Sequence, residues 1–185
     1  MDNQETYFAL STPSGRSATA TIRISGPNSK KTILKFFKSK NKNLKPGLNH
    51  VVSLYNKNND LIDKCVVVFY KSPKSFTGND MVEIHTHGNP VIVDNVSKEL
   101  LELGVRHADA GEFTRTALLN NKIDLIQAES LLSLINAKSI AGVQISNTNL
   151  TGALTKSFKK MREMLIKTLG SLEYELDISE TENQK

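Results

Sequence analysis

The sequence predicts an α/β amino-terminal domain of the α+β kind, a mixed sheet with flanking helices, followed by the beginning of an all-α domain. Three observations carry this. Short runs such as Thr19 to Ser25 alternate apolar and polar residues, the period of a strand with one face in the core. Between them lie stretches with apolar residues three and four apart, the spacing of a helix face. Beyond Gly111 the composition changes, and helical spacing then runs to about Leu176. The expected domains are residues 1–118 and 119–185, and 185 residues suffice for one good core plus a helical extension.

Tyr7 to Leu10 and Thr19 to Ser25 read as strands joined by the turn TPSGRSA, where proline fixes φ and glycine tolerates a positive one. Ala20, Ile22 and Ile24 face one side, so Arg23 points away from the core they fill. Asn28 to Lys38 predicts a short helix through Ile33, Leu34, Phe36 and Phe37, with Asn28 or Ser29 as its cap. His50 to Tyr55 and Leu61 to Tyr70 flank the polar turn NKNND and predict a hairpin, and Met81 to His87 predicts another strand. Pro90 to Leu103 returns to helical spacing and ends at Gly104, a residue suited to the position after a helix. Asp124 and Gln127 form a capping-box pair ahead of Leu125, Ala128, Leu132 and Ile135. The apolar series from Val143 to Leu176 predicts one long amphipathic helix or two shorter ones, weakened at Gly142, Gly152 and Gly170 by about 1 kcal/mol each. The polar tail DISETENQK predicts fraying.

Hydrophobic residues make up 38% and charged residues 23%, the balance of an ordinary globular protein, and the longest apolar run, Cys65 to Tyr70, is far too short to span a bilayer. With no apolar stretch after MDNQE, the expected location is the cytoplasm, without a membrane association. Cys65 is the single cysteine, so no internal disulfide forms, and beside Val66, Val67 and Val68 it reads as a buried small hydrophobe. The net charge of +5 is uneven: from Asn28 to Lys74 eleven lysines stand against Asp60 and Asp63, a balance of +9, while Ser75 to Lys185 carries −4. Such a field could steer RNA phosphates. Lysines scattered among asparagines, without interleaved arginines or aromatics, suit a solvated surface at least as well.

Two constellations could carry chemistry. On the Met81 to His87 strand, Glu83, His85 and His87 share a face. Two imidazoles and a carboxylate without a third ligand of known proximity do not define a metal site, and none is expected. The second is the cluster of Arg115, Asn120, Asn121, Lys122 and Asp124 around a break between two helical patterns, where polar groups can meet a ligand while packed elements hold them.

Three blocks in the same order and spacing, TPSGRSATATIRISGP (Thr12 to Pro27), SFTGNDMVEIHTHGNP (Ser75 to Pro90) and DAGEFTRTALLNNKIDLIQAES (Asp109 to Ser130), resemble the N-terminal region of the MnmE or TrmE family of tRNA uridine-modification GTPases. The resemblance implies binding of 5-formyltetrahydrofolate or a related one-carbon tetrahydrofolate. The glutamate of the family's FTGED-x-x-E strand corresponds to Glu83, the arginine of its R-I-S-G motif to Arg23, and the lysine of its F-L-N-x-K-L-D motif to Lys122. A carboxylate can accept two parallel hydrogen bonds from the pterin edge, whose exocyclic amine and ring N–H lie side by side, and cations suit the polar and anionic parts of folate. No catalytic residue is expected in this chain. The resemblance also makes residues 1–118 the dimerisation domain, and for the whole family protein it implies a homodimer built through that domain, GTP hydrolysis with magnesium and potassium, and action on the wobble uridine of tRNA with an FAD-dependent partner of the MnmG type.

The chain departs from the family at TPSGRSA for TPPGRGG, THGNP for GHGGP and AGEF for PGEF. Each change removes a glycine or proline, so the local backbone differs or tolerates a Cβ. No G-x-x-x-x-G-K-[ST] occurs, so no P-loop cradles phosphates, and the chain reads as a fragment of a longer protein that is inactive as a GTPase. Two other readings stand beside this one. One is a folate-dependent aminomethyltransferase-like protein, which would need a longer chain and would lack the LLNNKIDLIQAE block; the other is a non-catalytic dimerisation or RNA-docking scaffold.

Overall fold

The computed structural model describes residues 5–38 and 43–182, which fall into two compact units, 1–122 and 123–185. Lys40 and Lys42 of the lysine-rich half, and residues 183–185 of the tail, lie outside the described residues.

The first unit is built on strands β1 (Tyr7–Leu10), β2 (Ser17–Ser25), β3 (Asn49–Tyr55), β4 (Leu61–Tyr70), β5 (Met81–Gly88) and β6 (Arg106–His107). They form one sheet in the order β3-β4-β5-β2-β1-β6. All neighbours run antiparallel except β1 and β6, which are parallel, so the sheet is mixed as expected. The β3 and β4 runs pair as the predicted hairpin. β6 has two residues, too few for any period to announce it.

Register aligns the core. Ile22 lies opposite Ile84 and Ile24 opposite Val82 on one side of β5, while Val67 and Phe69 of β4 meet the same two residues on the other. All six are essentially buried, beneath Val96 and Leu100 of α2 (Pro90–Glu102) and Ile33 of α1 (Ser29–Ile33). Each such side chain contributes roughly 1.5 to 3 kcal/mol by leaving water. Cys65 belongs to this layer, and burial, reinforced by the Asp63 charge, pushes its thiol up to about 12. A thiol so held is not nucleophilic near neutral pH.

The helix ends show which local signals act. Asn89 caps α2, its side chain accepting from the Val91 N–H at 2.9 Å. α2 closes at Gly104 with φ +79, whose N–H donates to the Leu101 carbonyl while that of Val105 donates to Leu100. α1 corrects the sequence reading. Asn28 occupies the cap position but makes no side-chain capping bond, and the Ser29 hydroxyl is buried without a partner. The helix is only one turn and passes into a 3-10 turn at Leu34–Phe36, so the chain direction here is set by burial of Ile33 and Phe36.

The last helix of this unit, α3 (Glu112–Leu119), begins at Gly111 with φ +72. Arg106 ties it to the sheet: its Nη2 donates to Glu112 Oε1 at 2.6 Å, its Nη1 to Oε2 at 2.9 Å and its Nε to Glu5 at 2.6 Å. The Arg106 hydrogen bonds hold the nearly enclosed Glu112 carboxyl below its usual range, helped by the Asp109 N–H and by the charge of Arg115. A carboxyl depressed on folding stabilises the fold above its unfolded pKa of about 4.3, and that contribution is lost as pH falls through the folded value. The urea midpoint is therefore expected to drop below about pH 4 more steeply in the wild type than in Glu112→Gln. Parallel slopes for the two proteins would remove Glu112 from the acid response.

The second unit is helical: α4 (Leu125–Ile135), α5 (Ile140–Leu150) and α6 (Ala153–Glu182). The capping box forms in full, with Asp124 accepting from the Gln127 N–H and the Gln127 side chain accepting from the Asp124 N–H. Asp124 also accepts from the Thr155 hydroxyl at 2.6 Å, the leading cause of its lowered carboxyl pKa. Of the two forms predicted for the apolar series, two helices is the one formed, broken at Gly152 with φ +80. α6 continues to Glu182, into the tail whose composition predicts fraying. No described helix is long and apolar enough to cross a membrane.

Candidate functional site

The face of the sheet opposite the core carries polar residues from three adjacent strands. Alternation turns Thr21 and Arg23 of β2, Glu83 and His85 of β5 and Tyr70 of β4 onto it, and register sets Arg23 directly opposite Glu83 and Thr21 opposite His85. Arg23 Nε donates to Glu83 Oε1 at 2.7 Å. The Tyr70 hydroxyl donates to Glu83 Oε2 at 3.3 Å, and burial, with the Glu83 charge, raises the Tyr70 pKa. His85 Nε2 stands 3.6 Å from the same oxygen, beyond hydrogen-bond length, while its Nδ1 meets the Thr21 hydroxyl at 3.0 Å. The Glu83 side chain is 11% exposed and that of Arg23 36%, so the carboxylate is approached past the guanidinium.

One loop, Lys71–Asp80, walls this face. It sets the Phe76 ring 6.0 Å from the Arg23 guanidinium carbon, and the Thr77 hydroxyl 2.8 Å from that of Ser25, both of the last pair buried. The turn after α3 grips the loop from outside. Lys122 Nζ donates to the Pro73 carbonyl at 2.9 Å, and Asn120 Nδ2 to the Thr77 carbonyl at 2.7 Å and to Asn79 Oδ1 at 3.1 Å.

The structure thus brings Arg23 and Glu83 together and joins Lys122 to them through the loop. Of the cluster around the helix break, Asn120 acts on that loop, Asn121 turns the chain with φ 54, Arg115 pairs with Asp109 at 3.5 Å and Asp124 caps α4. His87 is engaged elsewhere, its Nδ1 2.8 Å from Asp63 and its N–H donating to the same buried carboxylate. Among the described residues no group of histidine, cysteine, aspartate and glutamate could hold a metal. Sequence reasoning missed Tyr70 and Phe76 as site residues. Tyr70 ends an apolar run and reads as core, and Phe76 sits in a loop block whose only local signal is its glycine.

Residues 6–122 match the family model described as GTP-binding protein TrmE N-terminus. The chain belongs to this family. It is 44% identical over 179 residues to the tRNA modification GTPase MnmE of Fervidobacterium nodosum, covering 95% of this chain and 39% of that protein. The protein of the same name from Thermotoga maritima is 41% identical over 94% of this chain and 38% of its own, and that of Legionella pneumophila strain Philadelphia 1 is 40% identical over 96% and 40%. The chain therefore spans about two fifths of the length of these relatives. The TrmE match covers all three strands of the polar face, its loop and the Asn120–Lys122 turn, and stops where the first unit stops.

Proposed function

We propose that the first unit binds a one-carbon-substituted tetrahydrofolate such as 5-formyltetrahydrofolate on the face carrying Arg23 and Glu83, with Lys122 at its rim, as part of a tRNA modification GTPase. The observation that carries this is the Glu83 carboxylate, which takes one donor on each oxygen, Arg23 on Oε1 and Tyr70 on Oε2, with the Phe76 ring against the same Arg23 guanidinium. A carboxylate has about four lone-pair directions, so two donors leave room for the adjacent N–H groups of a pterin edge. The aromatic ring offers a flat neighbour for a flat ligand. Titration of the purified protein with 5-formyltetrahydrofolate tests the reading, and an absence of binding at high micromolar ligand favours the docking-scaffold alternative. The aminomethyltransferase-like alternative is disfavoured by membership of the TrmE family.

The relatives' name supports one wider proposal, that the whole protein hydrolyses GTP and modifies tRNA; magnesium and potassium, the wobble uridine, an FAD-dependent MnmG-type partner and a cytoplasmic location are proposed with it on the resemblance of the three sequence blocks alone. No P-loop occurs in these 185 residues, so no GTP turnover is assigned to them.

We also propose that the chain forms a homodimer, built through the first unit as the resemblance implies, and a second feature favours self-association. On α6 the side chains of Phe158, Met161, Leu165, Leu169 and Leu172 are all more than half exposed, and apolar surface left in water costs about 25 cal/mol per Å². Such a face should fold back within its own chain or pack against a second copy, and two-fold pairing is the commonest closed symmetry of oligomers. Light scattering at several micromolar concentrations is expected to give twice the chain mass; a monomer throughout would overturn the pairing.

A further inference from the structure

Lys122 belongs to the proposed folate site by resemblance, which suggests a cation for the anionic part of the ligand. Its surroundings assign different work. We propose that Lys122, together with Asn120, is a positioning residue that clamps the loop Lys71–Asp80, so that Phe76 and Thr77 stand against Arg23 and Ser25. The inference rests on the folate reading only in using that ligand as one of its reporters.

The clamp is made of three donor contacts to three separate points. Lys122 Nζ meets the Pro73 carbonyl, and the Asn120 amide meets the Thr77 carbonyl and the Asn79 side chain. Between these points lies Gly78, with φ +82. A Cβ there would sit 3.1 Å from Asn120 Cβ and 3.2 Å from Lys122 Cγ, so the lysine stem itself lies against the loop backbone. On its other side the same loop meets the sheet through the buried Thr77–Ser25 hydroxyl pair and the Phe76 ring beside Arg23. The loop is thus held between strand β2 and the turn after α3.

That turn is rigid enough to serve. The backbone N–H groups of Asn120, Asn121 and Lys122 donate to the carbonyls of Thr116, Leu118 and Ala117 in turn, and Asn121 adopts the left-handed conformation. The Lys122 ammonium is therefore aimed at a main-chain carbonyl on the loop. Lysine suits the clamp because its long apolar stem covers Gly78 before the head group reaches Pro73.

The two roles differ in what the lysine senses. A direct contact to an anionic tail affects only ligands that carry the tail, whereas a clamp acts on every ligand that uses Phe76. The test compares 5-formyltetrahydrofolate with 6-methyltetrahydropterin, which lacks the glutamyl tail, by calorimetry on wild type, Lys122→Ala, Lys122→Arg, Asn120→Ala, Phe76→Ala and the Lys122→Ala/Phe76→Ala pair. Hydrogen exchange of amides 74–79 is followed in the ligand-free proteins. Lys122→Ala, which removes one charge-assisted bond, and Asn120→Ala, which removes two neutral ones, are each expected to weaken both ligands by the same factor, about tenfold. Lys122→Arg should recover most of the loss, because arginine also donates to a carbonyl. In the Phe76→Ala background the Lys122 effect should vanish, as coupled residues do not add. Exchange at Thr77 to Asn79 should speed up in both clamp variants without any ligand.

A loss confined to the tail-bearing ligand, or full additivity with Phe76→Ala, or unchanged exchange of the loop, would each overturn the clamp. Should the wild type bind neither ligand, the folate reading fails by itself, and exchange in the clamp variants still decides the inference. Should Lys122→Ala not fold, Lys122→Arg and Asn120→Ala carry the same comparison.

Discussion

Replacing Glu83 by alanine is expected to weaken binding of 5-formyltetrahydrofolate by about 1.5 to 3 kcal/mol, the range for hydrogen bonds to a charged group, or roughly 10- to 150-fold. The substitution removes the acceptor for the pterin edge, and it also leaves the Arg23 guanidinium without its 2.7 Å partner beside the ligand. Glu83→Gln separates the two consequences. Glutamine keeps one acceptor oxygen and the shape of the side chain, but its amide NH2 presents donors to the donors of the ligand and of Arg23, so it should recover little affinity. Calorimetry with a parallel thermal melt decides the matter. Unchanged affinity in Glu83→Ala at an unchanged melting temperature would remove Glu83 from ligand recognition and leave the polar face without its central acceptor.

How much of this was legible in the sequence follows from the range of each signal. The alternation in β2, β4 and β5 is local and strong, and it placed Arg23 and Glu83 on the face away from Ile22, Ile24, Val82 and Ile84 before any pairing was known. The Asp124 and Gln127 capping box is likewise written in four adjacent residues, and it forms. What could not be read is whatever depends on register between distant segments. That Arg23 lies opposite Glu83, sixty residues on, is a property of the β2–β5 ladder, and that Lys122 reaches Pro73 across forty-nine residues is a property of how α3 returns to the sheet. Tyr70 shows the same limit, since its apolar neighbours disguise a hydroxyl that only strand pairing carries to Glu83. The Asn28 and Ser29 cap failed for the converse reason: a helix of one turn is set by burial of Ile33 and Phe36, and a cap preference worth about 1 kcal/mol does not govern it.

Glycines make the point sharply, and they supply the other large effect. Gly88 and Gly170 look alike in sequence, each a glycine inside or at the end of a regular element, yet adding one methyl group should act on them with opposite signs. Gly88 pairs with Ser17 at the irregular end of the β2–β5 ladder, where the register shifts between Ser17 and Thr19. A Cβ there would overlap the Ser17 carbonyl oxygen and lie 2.7 Å from its carbon, and backbone atoms cannot step aside without breaking the ladder that carries Arg23 and Glu83. Gly88→Ala is expected to destabilise the protein by on the order of 3 kcal/mol. Gly170 lies within α6 with nothing inside 4 Å of the added carbon, so Gly170→Ala should gain up to about 1 kcal/mol of helix propensity. Urea titrations of both variants, read by circular dichroism, compare the two directly. A Gly88→Ala protein as stable as wild type would mean that the end of the ladder yields; a large loss would mean that the position after His87 requires glycine, while the next, Asn89, is free to carry the cap of α2.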